Sequence, residues 1–123
     1  MPEKNRKAIA NLVVELNEVT DRLRQALLSH QHGVAEFGRL VKEGRSGIEA
    51  LDGAQAARHR EEVSGLIKEF EDVRHRLRLA VFALCVKEQG NHVAEVGRHF
   101  GISRQLASRL AIEAEKLGYY SPG

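Results

Sequence analysis

The sequence predicts an all-α protein: a long antiparallel helical hairpin followed by a compact pair of short helices. Three observations carry this. Two series of apolar residues step by three and four, over residues 9–40 and 56–84. Proline occurs only as Pro2 and Pro122, so 119 consecutive residues between them are free of it and nothing there blocks a helix. No segment alternates apolar and polar residues as a half-buried strand does. A content of 29% charged and 5% aromatic residues suits surface-charged helices better than a sandwich or barrel.

The first series is Ile9, Leu12, Leu16, Val19, Leu23 and Ala26, and its frame runs on through His30 and Gly33 to Phe37 and Leu40. A continuous helix over residues 5–42 would be roughly 57 Å long. Gly33 and Gly38, each costing about 1 kcal/mol relative to alanine, mark where it would kink or divide. Val13, Leu27, Val34 and Val41 widen the stripe on one side. A wide stripe predicts burial against more than one helix. The sequence therefore predicts a homodimer, with Ile9, Leu12, Leu16, Val19 and Leu23 in the subunit seam. The alternative is a solvated hairpin whose stripe is only internal core.

Residues 44–53, GRSGIEALDG, hold three glycines and predict a loop, with at most one helical turn. The second series follows: Ala56, His59, Val63, Leu66, Phe70, Val73, Leu77, Ala80 and Leu84. It ends at Gly90, and Asn91 is expected to cap the next helix. Two long helices joined by a short loop lie antiparallel. His30 and His59 occupy core positions on the opposing helices, where a polar pair would set register and respond to pH.

The segment Val93–Ile112, VAEVGRHFGISRQLASRLAI, reads as two short helices around a turn at Gly101. Val96, Phe100, Ile102, Ala107 and Leu110 supply a shared core. Ser103, Arg104, Gln105, Ser108 and Arg109 fall on the second helix. These residue types hydrogen-bond phosphates and base edges. The charge distribution agrees. Residues 1–73 hold 11 Lys and Arg against 13 Asp and Glu, and residues 74–123 hold 8 against 4. The sequence thus divides into residues 1–75, a dimerising hairpin, and residues 76–123. Arg76–Glu88 are expected to serve both parts, as the first of three helices in the second.

Over residues 76–120 the chain resembles the bacterial helix-turn-helix transcription regulators. The stretch GISRQLASRLAIEAEKLG is most similar to the recognition helix of the winged-helix type. The resemblance implies a positioning helix near residues 92–99 and a recognition helix near 103–117 lying in the major groove of double-stranded DNA. It gives Ser103 the role of N-cap, Arg104 that of a guanine reader and Gln105 that of an adenine reader. Ser108 and Arg109 follow one turn on. Asn91 and Arg98 are expected at the phosphate backbone, with His99 beside them. Gly97 stands where alanine is usual, and Ala107 follows Leu106 where the larger residue more often comes second. The tail Gly118–Gly123 is too short for a wing hairpin, so wing contacts are expected to be missing.

Other chemistry is poorly represented. The six histidines and Cys85 show no metal-ligand spacing, and His30 and His32 do not share a helix face. There is no phosphate-cradling glycine loop, nucleophile elbow or paired catalytic acid, so neither an enzyme nor a cofactor is expected. The lone Cys85, flanked by Val81, Phe82, Leu84 and Val86, reads as a buried inert thiol in a reducing compartment. The N-terminus has no apolar signal core and no apolar run reaches membrane-spanning length, so the sequence predicts a cytoplasmic protein. Two readings remain: a dimeric DNA-binding transcription regulator, and a coiled-coil adaptor whose helix-turn-helix docks a protein through Leu106 and Ile112.

Overall fold

The computed structural model describes residues 2–121 and is all-α. Five helices follow in order: α1 (Pro2–Lys42), α2 (Gly47–Gly53), α3 (Ala56–Glu88), α4 (Val93–His99) and α5 (Arg104–Lys116), with no strand among the described residues. Helix α1 runs unbroken through Gly33 and Gly38. Each lone glycine removes only about 1 kcal/mol of propensity, and the flanking apolar stripe outweighs it. Residues 44–53 are more ordered than expected. Ser46 caps α2, its Oγ accepting from the Glu49 N–H at 3.1 Å, and two helical turns follow. Among the described residues no helix is long and apolar enough to cross a membrane.

The chain forms two compact units. One joins residues up to Glu15 with those from Val73 onward; the other is Leu16–Asp72. The sequence placed residues 1–15 with the hairpin. In an antiparallel pair, however, the start of the first helix lies beside the end of the second, so residues 1–15 join the C-terminal part.

In the first unit Arg6 pairs with Glu88 at 2.7 Å and Glu15 with Arg76 at 2.9 Å, so α1 and α3 run antiparallel there. The core consists of Leu79, Phe82, Ala83 and Val86 of α3, Val96 of α4, Ala107, Leu110, Ala111 and Ala114 of α5, and Tyr120. Phe82 meets Phe100 edge to face, with ring centroids 5.2 Å apart. Arg76–Glu88 therefore does supply the third helix of the α4–α5 group. Cys85 is half-buried against this core. Burial pushes its thiol pKa up, and the nearby Glu88 carboxylate adds to the shift.

In the second unit Arg22 grips Glu69 through two bonds of 3.2 and 2.7 Å. His59 of α3 packs against Gly33 of α1, so the two helices are antiparallel here as well. Val19, Ala26, Ala50 and Ala54 are buried. The residues assigned to a dimer seam are used differently. Leu12 and Val19 are 4% and 0% exposed within one chain, and Ile9, Leu16 and Leu23 are half-buried. They form the intrachain side of α1. A repeat of three and four cannot distinguish a partner in another chain from α3, which carries the same repeat. Leu27, Val34 and Val41, spaced seven apart, are left exposed, as are Val13, Val14 and Leu28.

Candidate nucleic-acid interface

Helix α5 begins as the sequence requires. Ser103 has extended backbone (φ −67°, ψ 159°), and its Oγ accepts from the Leu106 N–H at 3.1 Å. It is therefore an N-cap and satisfies one of the free donors of the first turn. Gly101 makes the preceding turn at φ 69°, where a side chain would be strained. The Ile102 N–H then returns to the Gly97 carbonyl at 3.0 Å. The helix proper is Arg104–Lys116, within a residue of the expected 103–117.

Two contacts fix how α5 lies. A Cβ on Gly97 would sit 2.6 Å from the Cβ of Ala107, closer than Cβ atoms of packed residues come to their neighbours. The two departures from the family pattern therefore belong together: glycine on α4 and alanine on α5 make one close crossing. At the other end His75 of α3 donates through Nε2 to Glu113 at 2.8 Å. Sequence spacing offered no sign of that pair, because the two residues are 38 apart on different helices.

With Ala107, Leu110, Ala111 and Ala114 turned into the core, the opposite side of α5 is set by the helical repeat. Arg104, Gln105, Ser108 and Arg109 are exposed together on it, with Ser103 at its head. Ile112, 53% exposed, extends the same face by one turn. Arg104 and Arg109 form no ion pair among the described residues, whereas Arg6, Arg22, Arg39 and Arg76 all hold carboxylates. Arg98 and His99 are exposed at the end of α4. Arg98 is also without an ion pair among the described residues, although Glu95 stands one turn before it.

Asn91 departs from expectation. It is not the cap of α4; His92 holds that place and makes no side-chain cap bond. Asn91 lies one residue earlier at φ 70°, a conformation Asn tolerates better than most residues. Its N–H closes α3 on the Val86 carbonyl at 2.8 Å, and its Oδ1 accepts from the Tyr120 hydroxyl at 3.5 Å. Asn91 therefore ties the tail to the end of α3. Lys87 takes part in the same joint, over the Tyr120 ring at 5.4 Å and bonded to the Ser121 carbonyl. The tail expected to lack a wing is thus, as far as Ser121, packed on α3; Pro122 and Gly123 lie outside the described residues.

His30 is exposed and His59 half-buried. No hydrogen bond joins them, so they are not the polar core pair the heptad frame suggested. Among the described residues no three His, Cys, Asp or Glu side chains gather to hold a metal ion. In comparison with known proteins, no family, no curated relative and no solved structure matches the chain.

Proposed function

We propose that this chain is a cytoplasmic transcription regulator of bacterial helix-turn-helix type, which binds duplex DNA as a homodimer and reads the major groove with α5. The observation that supports it most is the exposed face of Ser103, Arg104, Gln105, Ser108 and Arg109. Its two guanidiniums have no carboxylate partner among the described residues, and the helix carrying them is held by a close crossing and a hydrogen bond from His75 to Glu113. Cations left free on a fixed helix are available to guanine and phosphate. Arg98, at the end of α4, is placed for the backbone. The homodimer is supported by Leu27, Val34 and Val41, an exposed line along α1.

The test is a titration of duplex DNA over a range of salt concentrations. Affinity for a selected site should fall steeply with salt. Arg104→Ala should cost about 1–3 kcal/mol and relax preference at one base pair. Arg98→Ala should weaken all sequences alike and lower the salt slope by about one. The second reading, a protein adaptor, is favoured only by Ile112, an apolar side chain within the polar face. Binding that ignores salt, and that neither arginine affects, would establish that reading instead.

A further inference from the structure

The second unit contains a crevice beside the exposed line of α1, with Val34 on its wall. It lies between α1, the end of α2 and the start of α3, and holds about 210 Å³. Gly33, Ala54 and Ala56 hollow it out, and Phe37 lines it with His30 and His59. The two imidazoles are the only polar side chains on its wall among the described residues. His59 is held by packing: the Cδ2–Nε2 edge of its ring takes the space a Cβ on Gly33 would occupy, 2.8 Å from Cδ2. Its Nδ1 is sealed from solvent with no hydrogen-bond partner. Among the described residues neither histidine is tied to another side chain.

From this geometry we infer that the crevice is a binding site for a small neutral molecule, a single aromatic ring carrying one hydroxyl. Size sets the first limit, since an apolar protein cavity of about 150 Å³ accepts benzene. Three rings on the wall, those of His30, Phe37 and His59, favour edge-to-face packing with an aromatic guest over an aliphatic one. The wall offers no Lys or Arg, so an anion would find no charged fork to hold it. His30, the exposed imidazole of the wall, pairs with a hydroxyl in either tautomer, because a hydroxyl both donates and accepts. The site needs no DNA contact, but it shares Val34 with the proposed dimer face, so self-association is tested beside it.

The experiment is a titration of the full-length protein with phenol and, separately, toluene, followed by amide NMR and calorimetry. Saturable phenol binding is expected, with shifts concentrated at residues 30–37 and 54–59. Ala56→Leu, which fills the crevice with a larger side chain, should abolish binding of both probes while circular dichroism stays helical. His30→Phe keeps a ring in place, so it should weaken phenol about tenfold and leave toluene nearly unchanged. Three results would each overturn the inference: unsaturable shifts spread over the surface, equal binding in Ala56→Leu, or phenol binding seen only when self-association is broken by Leu27→Glu. The last would mean that a second copy of the chain occupies the crevice.

Discussion

Gly97→Ala is the most direct test of how α5 is positioned. On propensity alone the change should help, since glycine inside a helix costs about 1 kcal/mol relative to alanine. The structure predicts the opposite sign. The added methyl would stand 2.6 Å from the Ala107 Cβ, and neither carbon can rotate away, because each is fixed to its backbone. The helices must separate by about 1 Å to restore ordinary contact. That movement opens the packing of Ala107 and Leu110 against Val96, and overpacking of this kind costs about 1–3 kcal/mol. The net expectation is a loss of up to about 2 kcal/mol after the propensity gain. Urea unfolding followed by circular dichroism measures it, as a lower midpoint with an unchanged slope. The reciprocal variant Gly97→Ala with Ala107→Gly moves the methyl from one helix to the other. It should recover most of the loss, since the propensity terms then nearly cancel and the pair is directly coupled. A Gly97→Ala protein more stable than its parent by about 1 kcal/mol, as propensity alone would give, would refute the close crossing and with it the fixed placement of the Arg104 face.

Three further outcomes are expected. Cys85, whose thiol is pushed up by burial and by Glu88, should react with iodoacetamide at pH 8 several-fold more slowly than free cysteine, and urea should remove the difference; equal rates would show an accessible thiol. The Glu69 carboxyl is held below the usual carboxylate range by the Arg22 guanidinium. The contribution of that pair to stability is therefore full at neutral pH and fades as pH falls through the lowered value, so Glu69→Gln should flatten the acid side of the stability curve and leave the alkaline side unchanged. Leu27→Glu changes a side chain 44% exposed in the single chain; sedimentation should show a monomer with unchanged helix content, and an unchanged dimer would place the interface elsewhere.

Much of this fold was legible, because helices of this kind are written in local spacing. The heptad frames gave α1 and α3 nearly to their ends. Gly101 and Ser103 marked the turn and the cap from their own chemistry. What stayed hidden was decided between segments. The stripe at Leu12 and Val19 showed that α1 is covered, but not by which helix. The loop over residues 44–53 concealed α2, because the Ser46 cap is worth about 1 kcal/mol and three glycines obscure so short a signal. Gly97 and Ala107 each looked like a departure from pattern until their shared contact explained both. Asn91 illustrates the same limit: Gly-Asn marks the end of a helix, but only the position of Tyr120 shows what the Asn side chain does.

The two units differ in how they are held. Of the seven largest fully buried side chains, six lie in the first unit and only Val19 in the second. A fifty-seven-residue unit with so little large core is marginal on its own. Self-association is the natural remedy, and its size can be bounded. Leu27, Val34 and Val41 are 44%, 56% and 47% exposed. Covering the remainder is worth about half of the roughly 1.5–3 kcal/mol for full burial, so about 1 kcal/mol each. A two-fold interface uses each residue twice, for about 6 kcal/mol. Association itself costs about 4–15 kcal/mol, so the expected dimer is weak and dissociates on dilution. A palindromic duplex holding two α5 helices side by side would supply the missing free energy. Dimerisation and DNA binding should then be linked, each strengthening the other by the same factor. The parent protein should prefer a palindrome with half-sites about one turn apart over a single half-site. Leu27→Glu should lose that preference and keep half-site affinity. If Leu27→Glu binds both duplexes as the parent does, the two properties are independent and the exposed line of α1 serves some other purpose.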